Sequence, residues 1–193
     1  MNDNLKQEIL QKSQFPYHRR KVQYQSIDDE KMPGIRNMLH RYDIMKLNTV
    51  DFKNKTVLDI GCNLGILCHY CIKLGASSAV GLEIDQETVE VANKYLKTKG
   101  ISNIKILQFD INNTPFPEQT DYVFALSVLK HVDPEKLFQL INNSTKDLCW
   151  FEGHNKNKKE YIQSLLEINL SGKIDFLGYT KDRGTRPVFL IKY

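Results

Sequence analysis

Two places in this sequence combine residue types suited to moving a proton or holding a charged ligand. The first is Glu152-Gly153-His154, a carboxylate and an imidazole on either side of a flexible glycine, with a second histidine, His131, upstream. An imidazole titrates near neutrality, so His154 or His131, supported by Glu152, could accept a proton from a hydroxyl or acid. A polar loop with incidental histidines reads equally well at these positions. The second place is a set of three acids, Asp59, Glu83 and Asp110, each closing or just following a short apolar run. Singly each is an ordinary loop acid; in series they could line one cationic, hydroxyl-bearing ligand.

These residues need a scaffold, and the pattern between them supplies one. Apolar runs at residues 56–60, 79–83, 104–108, 122–126 and 148–152 read as buried strands. Amphipathic stretches at 64–74, 86–99 and 158–170, and one opened by Asp133 and Pro134, read as helices; Gly75 and Gly100 close the first two. Residues 174–179 and 188–193 form a last strand pair joined across 182–185. Strands alternating with helices imply a mostly parallel sheet covered on both faces, ending in one antiparallel strand. In such sheets ligands bind at the carboxyl ends of the strands, where all six residues above fall.

Between the first strand and the first helix runs Val57-Leu-Asp-Ile-Gly-Cys-Asn-Leu-Gly65. Gly61 permits a tight turn, and the following helix offers unpaired N–H groups. Glu83, at the end of the second strand, suits the two hydroxyls of a ribose. A dinucleotide fingerprint needs glycine at positions 61, 63 and 66, and only Gly61 is present. Asp59 would also repel a pyrophosphate, whereas it suits the amino group of a methionine moiety. The turn therefore favours an S-adenosyl ligand over NAD.

On these residues the chain resembles the class I S-adenosylmethionine-dependent methyltransferases of the small-molecule type, over about residues 51–193. Asp59, Gly61 and Gly65 match the first motif, Glu83 the second-strand acid, and Asp110 the acid that accepts the adenine amino group. The run from Asp121 to His131 resembles the fourth strand and its turn, and Asn63 replaces a glycine found in many members. The resemblance implies a Rossmann-like α/β fold with seven strands, the last two forming a hairpin. It implies S-adenosyl-L-methionine as cofactor, with Cys62, Asn63, Ile84, Ile111 and Leu126 joining Asp59, Gly61, Gly65, Glu83 and Asp110 around it. Methyl transfer to an O or N of a small molecule is the expected activity. RNA methylation and a non-catalytic S-adenosylmethionine-binding module are the alternatives.

Residues 1–50 differ from the domain at 51–193 in being charged, aromatic and without strand-like runs. Apolar residues at 35, 38, 39, 42 and 45 follow helical spacing, so the segment is expected to be a helical lid against the domain. Arg41 could meet the cofactor carboxylate. Tyr17, His18, Arg19, Arg20 and Lys21 make the one compact basic run. With Tyr24 to Ile27 and Arg36, this segment is loosely similar to methyltransferases that include carboxymethyl-donor tRNA wobble-uridine enzymes.

Composition narrows the class further. At 193 residues, 41% apolar and 26% charged, the chain suits one globular core. A net charge of +4 and a pI near 8.7 fall short of a dedicated nucleic-acid binder. The longest apolar stretch, 123–129, is far too short to span a bilayer. Three of the four cysteines (Cys62, Cys68, Cys71 and Cys149) crowd into ten residues, a poor disulfide layout and no complete metal-ligand set. A cytoplasmic protein without metal or disulfide is the expectation.

Overall fold

The computed structural model describes residues 1–12, 14–17, 20–27, 31–114, 116, 118–154, 158–181 and 184–193. Its centre is a seven-stranded sheet. In chain order the sheet strands are β3 (Thr56–Ile60), β4 (Ser78–Glu83), β5 (Ile104–Gln108), β6 (Thr120–Leu126), β7 (Thr145–Glu152), β8 (Lys173–Thr180) and β9 (Arg186–Lys192). They lie side by side as β5-β4-β3-β6-β7-β9-β8. All neighbouring pairs up to β7 are parallel, and β9 alone runs against the rest, between β7 and β8. This is the doubly wound, Rossmann-like α/β architecture expected from the alternation. The chain reverses its direction of travel across the sheet between β3 and β6, which opens a crevice at their carboxyl ends.

The helices are α1 (Asp3–Lys12), α2 (Met38–Ile44), α3 (Ile66–Lys73), α4 (Gln86–Thr98), α5 (Pro134–Ser144) and α6 (Lys159–Asn169). Local chemistry sets their starts. The Asp85 side chain accepts the Thr88 N–H to cap α4, and Asp133 caps α5 with Pro134 at its first position. Strand side chains alternate between two cores. Val57, Ala79, Ile106, Tyr122, Phe124 and Trp150 face α1 to α4; Leu58, Ile60, Leu82, Val123, Cys149 and Phe151 face α5 and α6. All four cysteines are buried and unpaired within these cores.

The first fifty residues depart from expectation in one respect. They contain an antiparallel hairpin, β1 (Gln14–Tyr17) with β2 (Arg20–Gln23), where no strand was expected. The basic run at 17–21 lies outside the described side chains, and part of the 182–185 turn lies outside the described residues. The helical spacing around residue 38 is realised as α2. Met38, Tyr42 and Met45 are buried there, whereas Leu39, expected on the same face, is 49% exposed. The segment shares its core with the sheet: Leu5, Ile9, Ile27, Met38, Tyr42, Met45 and Leu47 belong to one cluster with Val57 and Trp150. Trp150 stacks on Phe124 at 4.7 Å and donates its indole N–H to the Met45 carbonyl at 3.0 Å. Tyr42 stacks on Tyr70 of α3 at 4.0 Å.

Candidate active site

The crevice at the strand ends is a cavity of about 440 Å³, within the range of small-ligand sites. Its walls include Asp59 and Gly61 from β3 and its turn, Glu83 and Ile84 from β4, and Asp110 and Ile111 after β5. Leu126, Ser127 and His131 follow β6, and Gln25, Met38 and Arg41 come from the N-terminal segment. Nine of the residues expected around a cofactor are thus in one place: Asp59, Gly61, Asn63, Glu83, Ile84, Asp110, Ile111, Leu126 and Arg41.

The glycine turn explains itself residue by residue. Gly61 has φ +74°, and a Cβ there would come within 2.5 Å of Val128 Cγ1. Gly65 has φ +69°, and its Cβ would meet Ile106 Cδ1 at 2.7 Å, so its work is to turn the chain into α3 against the sheet. Asn63 occupies the left-handed region at φ +53°, which asparagine tolerates. Cys62 departs from expectation. It is fully buried, its N–H is spent on the Leu82 carbonyl, and it is not part of the cavity wall. Its thiol fills the space that Gly81 leaves, where a Cβ would lie 2.5 Å from Sγ.

Glu83 ties two loops together. Its Oε2 accepts the Asn63 N–H at 2.9 Å, and Oε1 accepts from Ile84 at 2.9 Å and Asp85 at 3.1 Å. Asp110 accepts from the Asn112 N–H at 2.9 Å and from Asn113 Nδ2 at 2.6 Å. Asp59 is 2% exposed, and burial pushes its carboxyl up to about 7; Arg41 opposes this and Glu83 adds to it. In this wall the side-chain oxygens of Asn63 and Gln25 are buried with no hydrogen-bond partner among the described residues. A desolvated acid that only a nearby cation can fully ionise, beside acceptors lacking donors, fits a ligand with a cationic amino group and further N–H or O–H donors.

The expected acid–base group divides. His131 lies at the cavity rim and its ring centroid is 5.7 Å from that of His154, so the structure brings the two histidines together. Burial, with Lys130 and Arg186 nearby, lowers the His131 pKa; burial, Arg186 and Lys130 push His154 down to about 4. Both imidazoles are neutral at pH 7. Glu152 does not join them as a proton acceptor. Its Oε1 accepts from Arg36 Nη2 and from Thr180 Oγ1, both at 2.7 Å. Its Oε2 accepts from Arg36 Nη2 at 2.8 Å, Arg41 Nη2 at 3.0 Å and the Ser127 hydroxyl. Desolvation raises its pKa, but Arg41, Arg36 and the Ser127 and Thr180 hydroxyls outweigh it and hold the group at about 2. Glu152 is a permanently charged anchor. Arg36, Ser127, Thr180 and Arg186, all buried around it, were not singled out as site residues; the only sequence hint was two arginines embedded in an apolar, aromatic segment.

With this geometry in view, comparison with known proteins is informative. Residues 57–148 match a family described as a methyltransferase domain. Over those residues the chain carries a methyltransferase domain. Its sheet order is that of the class I, S-adenosylmethionine-dependent type. The chain is 28% identical over 137 residues to the ubiquinone biosynthesis O-methyltransferase of Nitrosomonas europaea, across 66% of this chain and 58% of that one. It is 32% identical over 100 residues to the ribosomal protein L11 methyltransferase of Histophilus somni, across 52% and 33%. The chain therefore spans from about a third to just over half the length of these relatives. Among solved structures, the methyltransferase domain is similar to the magnesium protoporphyrin IX methyltransferase of Synechocystis with bound S-adenosylmethionine. There the TM-score is 0.65 at 19% identity, covering 80% of this chain and 78% of that one. The bifunctional kinase-methyltransferase WbdD gives a TM-score of 0.68 at 19% identity, covering 87% and 43%.

Proposed function

We propose that this protein transfers a methyl group from S-adenosylmethionine to an oxygen or nitrogen of a small-molecule acceptor. The observation that carries the proposal is the single cavity holding Asp59, Glu83 and Asp110 together at the strand ends beside His131. When bound, the cofactor supplies a sulfonium-activated methyl group. Asp59 would hold its ammonium, and Arg41 its carboxylate. Glu83 would take the ribose hydroxyls, and Asp110 the adenine amino group between Ile84 and Ile111. The protein's own contribution to the reaction is then orientation and exclusion of water, with a neutral imidazole, His131 or His154, available to take a proton from the acceptor.

Residues 1–50 act in this reading as a wall and lid over the site. Their anchorage supports it, because Arg36 and Arg41 are tied to Glu152 while Gln25, Met38 and Arg41 face the cavity. A relative named as a ubiquinone biosynthesis O-methyltransferase supports a small acceptor. Among the described residues no helix is long and apolar enough to cross a membrane. Four buried, unpaired thiols suit a reducing compartment such as the cytoplasm.

The test is calorimetric titration with S-adenosylmethionine and S-adenosylhomocysteine, followed by an assay for S-adenosylhomocysteine formation against fractionated metabolite and RNA pools. Saturable binding with turnover on a metabolite fraction is the expected result. Turnover on RNA alone redirects the acceptor to nucleic acid, and binding without any turnover leaves a non-catalytic module.

A further inference from the structure

Beyond the cofactor half of the cavity lies a rim with an unusual charge balance. Arg186 opens β9 and is 8% exposed. Its Nη1 donates to Ser127 Oγ and remains 3.9 Å from Glu152 Oε2, because the hydroxyl stands between them. Both oxygens of Glu152 are already claimed by Arg36, Arg41, Ser127 and Thr180. Among the described residues Arg186 thus has only a long ion pair to a shared carboxylate and no carboxylate hydrogen bond, and its buried Nε has no partner. Such a guanidinium is costly to bury unless a counter-anion arrives.

Its surroundings add more positive charge. The exposed Lys130 lies in the turn after β6, and it and Arg186 both act on His131 and His154. Among the described residues Glu152, held by its arginines, is the acid seen to act on His154, and none is seen to act on His131. The two rings meet at 68° with centroids 5.7 Å apart, and each neutral ring has one N–H to donate. Ser127, at φ +63°, is held in the left-handed region between Glu152 and Arg186, facing the cavity. Strain of that kind is kept where a side chain must be aimed.

We propose that Arg186, Lys130, His131 and His154 form a subsite for an anionic oxygen group, a carboxylate or a phosphate, on the methyl acceptor. The inference rests on the methyl-transfer reading and adds the chemical class of its substrate. An oxyanion supplies Arg186 with a directly hydrogen-bonded counter-charge, in place of a share in Glu152 at 3.9 Å, and takes hydrogen bonds from a fork-shaped guanidinium and the imidazoles. It also offsets the charges of Arg186 and Lys130, which add to burial in keeping these imidazoles neutral. Binding of an anion must therefore raise the midpoints at which they titrate.

The experiment follows the C2–H resonances of His131 and His154 by NMR, in protein saturated with S-adenosylhomocysteine, while inorganic phosphate or acetate is added. Acetamide serves as the uncharged control. The expected result is a saturable rise of both midpoints with at least one anion and none with acetamide; which anion is preferred assigns phosphate or carboxylate. Arg186→Gln should weaken the anion response by tenfold or more, Arg186→Lys should restore part of it, and the exposed Lys130→Gln should weaken it by a smaller factor. Midpoints unmoved by either anion in protein that binds S-adenosylhomocysteine normally would overturn the subsite while leaving methyl transfer intact. Failure to bind S-adenosylhomocysteine at all would strike the methyl-transfer reading instead.

Discussion

Arg36 and Glu152 lie 116 positions apart in sequence, yet one guanidinium nitrogen of the first touches both carboxylate oxygens of the second, at 2.7 and 2.8 Å. Arg36 is wholly buried and Glu152 is 1% exposed. The pair fixes the N-terminal segment to the end of β7, directly behind the cavity wall. Removing either partner takes a short, charge-assisted contact out of a wholly buried cluster. Glu152→Gln and Arg36→Met should each destabilise the fold by about 3–5 kcal/mol in denaturant titrations. Because the Glu152 pKa is depressed to about 2, its contribution is fully present above the unfolded value near 4.5 and is lost as pH falls from there toward 2. A Glu152→Gln protein as stable as the parent at pH 7 would deny the pair this role.

Asp59 behaves in the opposite sense. Its pKa is raised to about 7, so in the ligand-free protein it favours folding below about pH 4 and that contribution fades as pH rises through 7. Asp59→Asn should therefore raise the stability of the ligand-free protein at pH 8, by roughly 1–3 kcal/mol. The same group must ionise to hold an ammonium. Cofactor affinity is expected to increase between pH 6 and about 7.5, until the cofactor amine itself begins to lose its proton. Calorimetry across that range should show the rise in the parent and a flat, weaker profile in Asp59→Asn.

Glu83 joins the turns after β3 and β4 and is placed for the ribose. Its replacement by alanine should weaken S-adenosylhomocysteine binding by about 1.5–3 kcal/mol, one to two decades. Unchanged affinity in a folded Glu83→Ala protein would take the residue out of the site.

Most of the sheet could be read directly from the sequence, for local reasons. At 56–60 the apolar run and the strand coincide because a strand buried on both faces leaves a near-continuous signature. At 104–108 the edge strand shows instead by alternation, with Ile104 and Ile106 buried and Lys105 exposed. The helix expected from residue 64 begins at Ile66 because Gly65, in a left-handed conformation, is its cap and not its second residue. β1 and β2 carry a proline and two basic residues and show no alternation, so nothing local marked them. The residues expected around a cofactor could be named because they follow their strands in order, and nine of them do line one cavity. The Glu152 hub could not. Its partners come from four separate elements, and a lone acid closing an apolar strand reads as solvent-facing until those partners are in place.

The imidazole pair makes a further prediction about rate. If His131 or His154 takes the acceptor proton, substituting the true base by alanine should cut turnover by roughly two to four decades with cofactor affinity nearly intact. Both imidazoles are depressed, so kcat at saturating cofactor should stay level on acidification past the ordinary histidine pKa of about 6.5, and down toward about 4 where His154 is the base. Full turnover in both single variants and in the double variant would mean that positioning alone suffices.

The placement of β9 between β7 and β8 also governs how this protein comes into being on the ribosome. Residues 186–192 are synthesised after every other strand, yet they occupy an interior slot. Until they emerge, β7 has an open edge carrying Cys149, Trp150 and Phe151, and β8 has no neighbour to pair with. The nascent chain can assemble the part of the sheet that carries Asp59 and Glu83 while the edge beyond β7 waits for β9. Arg186 arrives with that strand, so its contact with Ser127 is among the last of this sheet's contacts to form. Slow or interrupted translation near this point would leave a sticky, half-closed sheet for chaperones to guard.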